Sequence, residues 1–252
     1  MSLLWSALVS AVAGLLVTSL FTYYKLRWRW RHVRDILSFE GEDVVLVVPH
    51  RDREPNSIMP RVAAEDVLAM MNVVQMMTRA GVKAKFKVKD NKHLTDDDKK
   101  KNLITFGGAK VNDYTDWLLH KATAASLEFE RDPSELRFIL KRQANRTYTS
   151  PSYQMPDGTA PEIAREDVAF IIKFRNPRND AGKTIVIAIA GLRGIGTWGA
   201  ADCLRKKFRE LHARKRRGDR FSKTGDFITM LSVEYENYDI VGTRIIEFED
   251  LS

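Results

Sequence analysis

Residues Leu3 to Tyr24, LLWSALVSAVAGLLVTSLFTYY, form 22 consecutive residues without a charge. As a helix such a run is about 33 Å long, against a bilayer hydrocarbon core of roughly 30 Å. The segment therefore predicts one transmembrane helix. A secretory signal would carry its basic residues ahead of a shorter apolar run and a cleavage motif after it. Here the basic residues follow, in YKLRWRWRHVR, so the span reads as a retained anchor. Lys25, Arg27, Arg29, Arg31 and Arg34 place the body in the cytoplasm and the short N-terminus outside by the positive-inside rule. Trp28 and Trp30 alternate with these arginines as an interfacial aromatic belt does, so the bilayer is the expected partner of residues 3–24 and 25–34.

The net charge of +8 is not spread evenly. Residues 25–34 carry +5 and residues 205–220 carry +7, which leaves the rest of the chain at −4. That distribution is not a general polyanion-binding surface, and nucleic acid is not an expected partner. A single cysteine, Cys203, excludes a disulfide framework and cysteine-based metal sites. It is expected to be buried and inert within a helix.

Past the anchor, short apolar runs alternate with helical periodicity. DVVLVVP (43–49), NLITFGG (102–108) and KTIVIAIAG (183–191) read as buried strands. KAKFKVK (83–89) alternates with period two and reads as an edge strand guarded by lysines. VAAEDVLAMMNVVQMMTRAG (62–81) reads as a helix with Val67, Met70, Met71, Val74 and Met77 as its core stripe, stopped by Gly81. TDDDKKK is a capped helix start, and AKVNDYTDWLLHKA and LRGIGTWGAADCLRKKFRELHARKRR are further helices. LEFERD with ELRFILKR and DFITMLSVEYE with IVGTRIIEFED read as hairpins, the second turning at Asn237, Tyr238 and Asp239. RTYTSPSYQMPDGTAPE reads as a loop. The resulting expectation is an α/β, doubly wound, Rossmann-like fold with a mainly parallel sheet and a small antiparallel addition. Its predicted boundaries are 1–24 for the anchor, 25–40 for the basic juxtamembrane segment and 41–252 for the domain.

In such sheets ligands sit beyond the carboxyl ends of the strands. Three segments fall there. Gly194-Ile-Gly196-Thr197-Trp-Gly199 satisfies G-x-G-x-x-G between a strand and a helix, where free N–H groups and the helix dipole favour a phosphate. Gly107-Gly108 precedes Lys110 and Asn112 at a second helix entrance, suited to an anionic or sugar group, although Asn112 also suits a helix cap. After the first strand, Arg51 is a candidate phosphate clamp, and His50, Asp52 and Glu54 are candidate acid–base groups. His32, His93, His120 and His212 show no metal-ligand spacing in sequence, so no metal site is expected.

VVLVVP, ITFGGAKVN and IAGLRGIGTWGAA together resemble Rossmann-like nucleotide-handling domains of bacterial signalling and defence proteins. The resemblance implies a nucleotide or nucleotide-sugar ligand held by Gly107, Gly108, Asn112, Gly194, Gly196 and Thr197. The catalytic carboxylate usual in that family has no counterpart here. The leading expectation is thus a membrane-anchored sensor or effector that binds a phosphorylated, nucleotide-type small molecule. The alternatives are a nucleosidase or glycosyl-transfer enzyme working through His50, Asp52 or Glu54, and a structural, membrane-tethered interaction protein that self-associates as a homo-oligomer.

Overall fold

The computed structural model describes residues 2–39, 43–50, 62–121, 127–131, 136–140, 146–150, 165–179, 184–217 and 225–251. Helix α1 (Ser2–Leu37) leads into β1 (Asp43–Val48), α2 (Ala64–Arg79) and the edge strand β2 (Lys85–Asp90). A short 3-10 turn (Asn91–His93) and α3 (Asp96–Lys99) precede β3 (Asn102–Phe106) and α4 (Asp113–Lys121). Strands β4 (Leu127–Arg131), β5 (Leu136–Leu140) and β6 (Arg146–Thr149) form a small antiparallel sheet. Then come β7 (Arg165–Arg175), β8 (Ile185–Gly191), α5 (Gly194–Arg217), β9 (Phe227–Glu236) and β10 (Asp239–Asp250).

The main sheet has seven strands in the order β10-β9-β7-β8-β3-β1-β2. Its β2-β1-β3-β8 half is parallel, and the apolar strands β1, β3 and β8 are buried on both faces, as strands of a covered parallel sheet are. The other three ladders, β8 to β7, β7 to β9 and β9 to β10, are antiparallel. The sheet is therefore evenly mixed, and the expectation of a mainly parallel sheet is corrected. The physical reason is connection length. β7 is joined to β8 across residues 176–184, too short for the crossover of a dozen or more residues that a parallel pair needs. At the C-terminal hairpin, Asn237 and Tyr238 both adopt positive φ (46° and 67°), the geometry that matches strand twist in a two-residue turn.

Alternate residues of the central strands feed two separate cores. Val44, Leu46 and Val48 of β1 face one, with Ile104, Ile187 and Ile189; Val45 and Val47 face the other, with Leu103, Val186 and Ala188. The first core is closed by α2, α5 and the last turns of α1. The second is closed by α4 and the small sheet, through Leu118, Phe138, Leu140 and Tyr148. Helices alone cover one face, while α4 shares the other with the small antiparallel sheet, which departs from the doubly wound expectation. RTYT, read as loop from its Ser/Pro-rich continuation, is strand β6, because Tyr148 pairs with Phe138 and is buried beside it. On α2 the buried stripe is Ala69, Val73, Met76 and Met77, while Met71 is exposed. The apolar positions of α2 are wider than one face, and packing against α5 selects between them. Cys203 is buried, and burial pushes its thiol up to about 11.

Val33, Ile36 and Leu37 of α1 are buried in the first core, so the end of α1 belongs to the body and not to a separate juxtamembrane segment. Farther back along the same helix, Val12, Leu15, Leu16, Val17, Leu20 and Phe21 are all exposed. Among the described residues no helix is long and apolar enough to cross a membrane. The side chains of residues 2–11, which make up much of the apolar run, lie outside that description. Replacing Leu37 by Ala should cost the body about 2–5 kcal/mol, the usual range for emptying a buried leucine site, as read by denaturant unfolding of the full chain in detergent.

Candidate functional site

Strand order reverses at β1. The β1-α2-β2 unit builds outward to one edge, and the chain then returns through α3 to place β3 on the other side of β1. At such a point the connections leave in opposite directions and a crevice opens beyond the carboxyl ends of the two strands. β1 ends there at Pro49 and His50, β3 at Gly107 and Gly108, and β8 at Gly191.

These ends meet backbone to backbone. Gly107 has φ +84°, and a Cβ there would stand 2.5 Å from Cγ of Pro49. Its N–H donates to the Ile189 carbonyl at 3.1 Å. A Cβ on Gly108 would lie 2.9 Å from the Gly191 carbonyl oxygen, and one on Gly194 would lie 3.2 Å from the Glu65 carboxyl carbon. The three segments singled out from the sequence are therefore neighbours.

Their chemistry differs from one segment to the next. At the N-terminus of α5 the donors expected to hold a phosphate are already engaged. Asp167, at the start of β7 and fully buried, accepts from the amides of Val168 (2.9 Å) and Arg193 (3.0 Å), and from that of Gly196. Gly196 and Gly199 are glycine because Asp167 and Val233 fill the places where their Cβ atoms would stand. The Thr197 hydroxyl is buried and accepts from the Gly191 N–H at 3.0 Å. With Glu65 also lying against Gly194, this helix end meets two carboxylates of its own chain, and a bound phosphate would face their repulsion. The glycine pattern here is explained by close packing and internal capping.

At the β3 turn, Asn112 is buried and acts as the cap of α4. Its Oδ1 accepts from the Tyr114 and Thr115 amides, while its Nδ2 donates to the Thr105 hydroxyl and the Phe106 carbonyl. It is thereby committed to the turn. Gly108 is half-buried and Lys110 is exposed at this turn. His50 is half-buried, with its N–H donating to Asn91 Oδ1 at 2.6 Å. Arg51, Asp52 and Glu54 lie outside the described residues.

Beside His50 stands a group that spacing along the chain does not reveal. A ring nitrogen of His50, an Asp90 oxygen and a ring nitrogen of His93 all lie within 4.8 Å of one another. Asp90 caps the 3-10 turn through the Lys92 and His93 amides and pairs with the His93 ring at 2.7 Å. Burial pushes the Asp90 carboxyl up, but the bond and charge of His93 and the two amides outweigh it, and the net effect is below the ordinary value. Two imidazoles and a carboxylate form a donor set suited to a divalent transition metal. Aspartate followed three residues later by histidine at a strand end is a signal that could have pointed to part of this group, and the sequence reading did not use it. His32, Asp35 and His212 form a second cluster of this composition where α1 crosses α5.

Burial pushes Asp167 up to about 7, against the lowering effect of its three amide donors. An unfolded aspartate titrates near 3.8, so between about pH 4 and 7 the folded state holds more protons and loses stability as pH rises. Relative to Asp167→Asn, the wild-type protein should lose stability over that window by up to about 1.4 kcal/mol per pH unit, and the difference should level off above pH 7. Urea unfolding of both proteins at several pH values checks this. Comparison of the sequence with protein-family models and with curated proteins finds no match, so the functional reading rests on this geometry.

Proposed function

We propose that the chain is a membrane-anchored α/β domain that binds a nucleotide-type phosphorylated ligand across the ends of β1 and β3, as a sensor or effector. The observation that carries the reading is the meeting of Pro49, Gly107, Gly108 and Gly191 at the reversal of strand order. Small residues there bring three strand ends together, with half-buried His50 following β1 and exposed Lys110 following β3. Because the α5 donors are engaged by Asp167, the phosphate is assigned to the β3 turn and to the segment after β1, not to the Gly194 loop.

The anchor reading is supported by the 22-residue uncharged run and by the single helix that contains it. α2 runs from the crevice edge to Gly81 at the opposite edge, where it meets α1. The ligand crevice then faces away from the bilayer, into the compartment that the basic residues assign to the body, the cytoplasm.

The test is the full chain in detergent, incubated with nucleotides, dinucleotides, cyclic nucleotides and nucleotide sugars while melting temperature and ligand integrity are followed. A stabilising ligand that stays intact is expected, with Lys110→Ala weakening it about tenfold through loss of a charge-assisted contact. A consumed ligand would replace the sensor with a nucleosidase or glycosyl-transfer reading, to be tested through His50. No shift with any compound would overturn ligand binding and leave a tethered interaction protein.

A further inference from the structure

At the edge of the sheet opposite the crevice, a cavity of about 970 Å3 opens between α1, the end of α2 and the middle of α5. Five cations line it: Arg34, Arg79, Lys83, Arg205 and Lys206. Asp202, buried at its margin, is shared by Arg205 at 2.7 Å and Lys206 at 2.8 Å. Among the described residues Arg34, Arg79 and Lys83 form no ion pair, and all three are exposed. Among the described residues the cavity thus holds a marked excess of positive charge.

One side of it is aromatic. Trp30 stacks on Phe208 with ring centroids 5.3 Å apart, and Tyr23 stands farther along α1 toward the apolar run. Exposed Leu16, Leu20 and Phe21 continue from Tyr23 on the same helix. Cations beside amphipathic rings, at the foot of an apolar helix, match the layering of a bilayer at headgroup depth. A soluble polyanion would account for the charge but not for the apolar surface that continues out of the cavity.

We propose that this cavity binds the phosphodiester headgroup of an anionic phospholipid, with Arg34, Arg79 and Lys83 on the phosphate and the Trp30–Phe208 stack against the glycerol and upper acyl region. The proposal rests on the anchor half of the function proposed above and is independent of the nucleotide half. It also gives the site a consequence. α2 and α5 begin at the crevice and present their later turns to the lipid, so headgroup binding fixes the domain with its crevice pointing away from the membrane.

The experiment uses the full chain reconstituted in bilayers of phosphatidylcholine alone or mixed with phosphatidylglycerol. Lipid retained by the protein is read by native mass spectrometry, and melting temperature is measured in both bilayers. The wild-type protein is expected to retain phosphatidylglycerol in preference to phosphatidylcholine and to melt higher in the mixed bilayer. Combined Arg34→Ala, Arg79→Ala and Lys83→Ala substitution should lower that preference about tenfold or more, with melting in phosphatidylcholine unchanged because the three side chains are exposed. Equal retention of both lipids, or a preference untouched by the triple substitution, would overturn the pocket. Displacement of the lipid by inorganic phosphate at equal concentration would overturn the lipid as occupant in favour of a free anion. Release of the wild-type chain from membranes by alkaline carbonate would overturn the anchor itself and the lipid site with it. A chain that stays in the membrane without lipid preference would remove the pocket alone.

Discussion

Burial of β1, β3 and β8 on both faces is the constraint on which the rest of the molecule depends. Each of these strands sends alternate Val, Ile and Leu side chains into two cores, and neither core can be left wet. One is closed by α2, α5 and the end of α1. The other is closed by α4 and a three-stranded antiparallel sheet. The requirement also explains why α1 is not a detachable tether. Its last turns supply Val33, Ile36 and Leu37 to the first core, so the end of α1 and the domain are packed as one piece.

The same demand for burial governs the polar groups at the strand ends. A buried amide or hydroxyl without a partner is costly, and here the partners come from within the chain. Asp167 reaches across from β7 to the first turn of α5, and Asn112 closes the entrance of α4. Asp167 lies where a phosphate would otherwise be received. A glycine-rich strand-to-helix turn thus has two solutions, an open cradle or an internally filled one, and α5 takes the second. The reversal of strand order between β1 and β3 is the strand-end position that Asp167 does not fill.

Charge is sorted along the molecule in the same direction. Arg34, Arg79 and Lys83, without an ion pair among the described residues, gather at the edge where α1 meets the body. The group of His50, Asp90 and His93 lies beyond the strand ends, at the other edge. Segregation of this kind gives the domain an up and a down relative to a negatively charged surface.

The sequence by itself determined the strands that are buried on both faces, the lysine-guarded edge strand, the capped helix starts and the closing hairpin, because each is written in local periodicity or turn chemistry. It also determined the long apolar run and the positions of the basic segments. Tertiary structure alone decided that β9 pairs with β7, that RTYT is a strand and that Met71 faces out, since partner choice depends on residues far away in the chain. The candidate site divided in the same way. Gly107, Gly108 and His50 were legible because glycine and a polar residue after an apolar strand mark a strand end. Asp167 opposite Gly196, and His93 beside His50, were not, because those pairs are 29 and 43 residues apart and only the packing of the sheet brings them into contact.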